Sequence, residues 1–137
     1  MYKQYQKSMD VSRTSLSAGE IIRAVLVGDP AVASRTSKVF PVVADEAKLP
    51  YIVYRRSQLE NAAVKGRMGA DTVGIEILCY TEQYTPGVEL AEAVRAALDG
   101  KQSEIDGLVM RSCHLTDSEE GWQDDAYVQQ LLFTVKI

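Results

Sequence analysis

Histidine, cysteine and tryptophan are scarce in this chain, with one His, two Cys and one Trp among 137 residues. A structural zinc centre needs three or four nitrogen and sulfur ligands in a recognisable spacing, which Cys79, Cys113 and His114 do not supply. Each cysteine lies inside an apolar run, so both read as buried free thiols of a reducing compartment, not as a disulfide. Cys113 and His114 are neighbours on an expected strand, where adjacent side chains point to opposite faces, which excludes them as a nucleophile–base pair. The chain has no G-x-S-x-G turn, no H-E-x-x-H, and no glycine-rich phosphate loop; Gly66, Gly69 and Gly74 occur singly. We expect no catalytic residues, no cofactor and no metal.

Long hydrophobic runs are also missing. Nothing approaches the roughly 20 apolar residues that cross a bilayer, and Met1 to Ser15 carries no hydrophobic signal segment. We expect a soluble protein that is neither secreted by that route nor integral to a membrane. Positive charge is not in excess: the net charge of −4 weighs against a dedicated nucleic-acid binder, which carries a basic face.

What is present suffices for a core. Hydrophobic residues make up 46% and charged residues 25%, as in an ordinary single domain. Residues 1–15 are polar and without period, and read as a flexible or loosely docked arm. A single domain then spans 16–137. Ser17 and Glu20 form an S-x-x-E capping box, followed by Ile21, Ile22, Val25 and Leu26 at helical spacing, with Gly28 as the stop. Asp29-Pro30 opens one more short turn through Ala33. Lys38 to Pro41 reads as a short strand, Val42 to Lys48 as a loop, and Tyr51 to Leu59 as a strand. From about Asp71 to Tyr80, Val73, Ile75, Ile77 and Cys79 alternate with more polar residues, the period of a half-buried strand. These two strands form an antiparallel hairpin.

Thr85 as cap, Pro86 at the first position and Gly100 as terminator bound a second helix, with Val88, Ala91, Val94 and Leu98 as its apolar stripe, widened by Leu90 and Ala97. A second hairpin follows, with strands at Leu108–Thr116 and Tyr127–Ile137 and a turn over Asp117–Asp125. The expected fold is α+β: a mainly antiparallel sheet of two β-hairpins plus a short strand, with two helices packed on one face. Its opposite face is then either polar or used for association.

Charge separates between the hairpins. The first carries Arg55, Arg56, Lys65 and Arg67. The second carries Asp117, Glu119, Glu120, Asp124 and Asp125, with Trp122 in their midst. The carboxylates read either as a solvated turn or as a metal site, though the spacing of a calcium loop is absent. Trp122 reads either as an interface anchor or as a side chain folded onto its own sheet. We expect the basic hairpin of one subunit to meet the acidic hairpin of the next, a heterologous contact that closes into a ring if the rotation allows. A second reading of the basic hairpin is contact with DNA phosphates, without an autonomous binding motif.

Several stretches in order resemble a known family: Ile21-Ile22-Arg23-Ala24-Val25-Leu26, Asp29-Pro30-Ala31-Val32-Ala33, Val39-Phe40-Pro41, Leu49-Pro50-Tyr51-Ile52-Val53-Tyr54, and Leu90 to Gly100. Together with the final strand they resemble, over Ser17 to Ile137, the phage and prophage tail-completion proteins (tail terminators, head–tail joining proteins), a family long filed as a domain of unknown function. The arm and the acidic Trp122 segment depart from the family pattern. The resemblance implies a structural virion-assembly subunit that forms a homo-oligomeric ring, typically a hexamer. That ring caps the tail tube and joins it to the head connector. Its partners are then tail-tube and head-connector proteins, and its place is the host cytoplasm during assembly and afterwards the virion tail. The resemblance brings no catalytic residues. A small α+β ligand-binding or enzymatic domain, and a dimeric interaction module outside any phage, stay open as alternatives.

Overall fold

The computed structural model describes residues 11–61, 63–64, 67–68 and 71–137, and in the short strands at 63–64 and 67–68 only the backbone. Most of the arm, residues 1–10, lies outside the described residues, as does Lys65.

The centre of the molecule is a five-stranded sheet. Its strands are β1 (Val39–Pro41), β2 (Tyr51–Glu60), β5 (Thr72–Thr81), β8 (Ser112–Gln123) and β9 (Ala126–Lys136). They lie in the order β1-β2-β5-β9-β8. All neighbours run antiparallel except β1, which pairs in parallel with β2. Beyond the end of β2, β3 (Ala63–Val64) and β4 (Arg67–Met68) pair as a small hairpin of their own.

Two helices, α1 (Ala18–Gly28) and α3 (Tyr84–Leu98), pack on one face; a single turn, α2 (Pro30–Ala33), follows α1. The core forms because period 3.6 and period 2 meet there. Ile21, Ile22 and Leu26 of α1 and Leu90, Val94 and Leu98 of α3 are buried against Ile52, Val73, Ile75, Ile77, Cys79, Leu131, Phe133 and Val135 of the sheet. Helix α3 approaches the sheet closely at Gly87, where a Cβ would stand 2.6 Å from the Thr81 hydroxyl. Among the described residues, no helix is long and apolar enough to cross a membrane.

The α+β class, the hairpins and the placement of both helices match the sequence expectation, and four local features correct it. Ser17 does not cap α1. A 3₁₀ turn over Ser15–Ser17 precedes the helix, Thr14 caps that turn, and Glu20 pairs with Arg13 at 3.0 Å instead of closing a capping box. Helix α3 starts at Tyr84, so Thr85 lies inside its first turn. Leu90, Val94, Ala97 and Leu98 of its expected stripe are buried, together with Ala93, whereas Val88 and Ala91 are only half-buried, because the helix turns its Leu90–Ala93–Ala97 line toward the sheet. A further small hairpin, β6 (Ser103–Ile105) with β7 (Leu108–Met110), turns at Asp106-Gly107, both with positive φ.

The largest correction concerns the acidic segment. Asp117 to Gln123 is not a turn but the second half of β8, paired residue for residue with β9. The connection is only Asp124-Asp125, both at positive φ (53° and 60°), the backbone of a tight two-residue hairpin turn. The eleven residues of β9 need partners for their backbone groups, and β8 supplies them along its whole length. A single bulge at Thr116 keeps the faces in phase.

Candidate assembly surfaces

Alternation along the strands sorts the singled-out residues by face. Asp117 and Glu119 project from the face away from the helices, whereas Glu120 and Trp122 lie on the helix-covered face with Gln129 and Tyr127. The carboxylates therefore do not converge: among the described residues no group of three or more Asp, Glu, His or Cys could hold a metal ion. Asp124 and Asp125 sit exposed at the turn.

Trp122 packs edge-on against Tyr127, with ring centroids 4.8 Å apart, and Tyr127 does the same with Tyr84 at 5.8 Å. Trp122 thus folds onto its own sheet, yet 59% of it is still exposed. Beside it, the Glu120 carboxylate accepts hydrogen bonds from Gln129 Nε2 (2.8 Å) and the Tyr84 hydroxyl (2.9 Å). These two donors stabilise the charged form and hold Glu120 below the usual carboxylate range, and the same bond raises Tyr84.

The basic residues do not form one patch. Arg55 lies on the outer face and pairs with Glu76 of its own chain at 2.5 Å; Gln130 holds the second Glu76 oxygen. Arg56 faces the other way, is exposed, and has no ion pair among the described residues. Arg67 stands on the small β3–β4 hairpin beyond the sheet. The register sets the two hairpin tips at opposite ends of the sheet: Glu60 pairs with Thr72 and on to Lys136 at one end, while Gln123 and Ala126 meet at the other.

Sequence reading missed the bare edges. Strand β1 covers β2 only from Ile52 to Tyr54, leaving Arg55 to Glu60 without a neighbouring strand on that side among the described residues. The uncovered face of the sheet carries Leu78, Val128 and Leu132, with Val42 and Val43 exposed beside it. A hollow of about 170 Å³ between Leu78, Gly121, Trp122 and Val128 is open to solvent. It is smaller than the roughly 300–1,000 Å³ of ordinary ligand sites. Both cysteines are free and buried, and burial pushes each thiol up to about 12. His114 is exposed beside Asp99, on the strand face opposite Cys113.

An antiparallel sheet with helices on one face, a second face open to solvent and charged edges defines an α+β protein whose surface is broad rather than concave. The chain belongs to the tail-completion family, structural proteins of phage tails: the family model described as "Tail completion protein gp17" matches residues 20–137, inside the stretch that carries the sequence resemblance. A chain from the virion of a native gene transfer agent particle has the same fold, with a TM-score of 0.78 at 14% identity, covering 90% of this chain and 98% of that one. No curated protein matches the chain.

Proposed function

We propose that this protein is a tail-terminator subunit: copies form a ring that caps the tail tube and joins it to the head connector, and the chain itself makes or breaks no bond. Family membership over residues 20–137 carries this reading. The fold shared with a chain of a gene transfer agent virion supports it, because that chain too belongs to a particle. The subunit assembles in the host cytoplasm and stays in the virion tail, in contact with tail-tube and head-connector proteins. The placement of basic and acidic hairpin tips at opposite ends of one sheet suits a head-to-tail contact, in which one end of each copy meets the other end of the next.

The mass of the purified protein and its appearance in electron micrographs test the reading. Closed rings of one subunit number are the expected result. Reversing Arg55, Arg56 and Arg67 together to Glu is expected to shift the distribution toward monomers while leaving the far-UV circular dichroism unchanged. An unaltered ring mass in that variant would remove the charged hairpins from the contact.

A further inference from the structure

Among the described residues two half-edges of the sheet are open, and they match each other. On β8 the first half is covered: Cys113 O accepts from Gly100 N (2.7 Å), and Leu115 N donates to Asp99 Oδ1 (3.1 Å). Past the bulge, Ser118 N donates to the side chain of Asp117 (2.8 Å). By the same alternation, the next outward-facing backbone groups belong to Glu120 and Trp122, and no neighbouring strand meets them among the described residues. On β2, Ile52 N and Tyr54 O bond across to Lys38 and Val42. The next outward-facing residue is Arg56, beyond the reach of β1. Side chains follow the same parity: Arg56, Glu120 and Trp122 all lie on the helix-covered face.

Resting on the ring reading above, we propose that neighbouring copies join by strand addition. The end of β8 of one copy lies antiparallel beside the open part of β2 of the next, with Arg56 against Trp122 and Glu120. The Arg56 guanidinium, which has no ion pair of its own among the described residues, meets the exposed ring of Trp122 and the charged Glu120 carboxylate. Outward-facing residues of two antiparallel strands exchange backbone hydrogen bonds and put their side chains on one face, which is the parity found here.

The offset is also compatible with closure. Trp122 is level with Tyr127 and Thr81, and Tyr80 is level with Tyr51, which places Trp122 at position 50 of the neighbouring lane, six residues before Arg56. Six residues at about 3.3 Å, spread over the four strands each copy adds (β2, β5, β9 and β8) at about 4.8 Å, tilt the strands by about 45°. Closed barrels lie at roughly 35–45°.

Carbodiimide cross-linking of the Arg56→Lys variant tests this. The expected product is an amide between position 56 of one copy and Glu120 of another, found as a cross-linked peptide in bands of dimer size and above. Within one chain the two strands are three spacings apart, about 14 Å, and Glu120 is level with Ile52, four residues or about 13 Å along from Arg56, too far for a zero-length link. The single changes Arg56→Glu and Glu120→Arg should each weaken association about tenfold or more, and their combination should restore it. Rings of normal mass that yield links only between other positions, or no rescue in the double variant, would overturn the strand contact while sparing the ring. A protein that stays monomeric at its highest soluble concentration would overturn both.

Discussion

Cys79 and Cys113 illustrate how burial sets reactivity, with the Asp99 carboxylate adding to its effect at Cys113. With both thiols raised to about 12 and no cation beside either, the thiolate is nearly absent at neutral pH. At pH 8 the folded protein should react slowly with a thiol reagent, and in denaturant two equivalents should react at once. Glu120 shows the opposite effect on an exposed group. Gln129 and Tyr84 donate to its carboxylate, so its folded pKa lies below the unfolded value. The stability this adds is present above the ordinary Glu range and is lost as pH falls through the lowered value. An NMR titration should find the Glu120 midpoint below that of an unperturbed glutamate, and Gln129→Leu with Tyr84→Phe should raise it.

At the scale of the element, the β8–β9 hairpin depends on two residues held in the left-handed region. Aspartate tolerates that region better than most side chains, and Asn-Gly tolerates it better still. Replacing Asp124-Asp125 by Asn-Gly should raise the unfolding free energy by about 0.5–1 kcal/mol in urea titrations. Val-Val at the same sites should lower it by about 1–3 kcal/mol for each strained residue. The same element explains why the acidic segment was misjudged from sequence. Asp117 to Gln123 has the composition of a loop, and its exposure pattern shows no alternation, because β8 is an edge strand there with neither face well covered. Only its pairing with β9, which has a clear period, makes it a strand.

Across the whole molecule, the sheet is held by side chains that both helices share. Phe133, 1% exposed, is on β9 between β5 and β8 and belongs to the same buried cluster as α1 and α3. Phe133→Ala should cost about 3–5 kcal/mol in equilibrium unfolding. A ring whose contacts use β2 and β8 loses those contacts when the subunit unfolds, so in this variant melting and dissociation should coincide. Charge reversal on the sheet edges should do the reverse, dissociating rings of unchanged monomer stability.

Sequence alone determined the α+β class, the two main helices, the β2–β5 pairing and the buried thiols, because each rests on a local period or a local stop: Ile21 to Leu26, Val73 to Cys79, Gly28 and Gly100. It also carried the family resemblance, which rests on the order of short motifs along the chain. Tertiary structure decided what depends on neighbours distant in sequence. It paired Arg55 with Glu76, left Arg56 without an ion pair among the described residues, folded Trp122 onto Tyr127, and drew the acidic segment into β8. Which edges stay bare is likewise a property of strand order, since β1 stops at Pro41 and covers only the start of β2. Periodicity records which face of a strand is buried; only the assembled sheet shows which of its backbone groups still lack a partner.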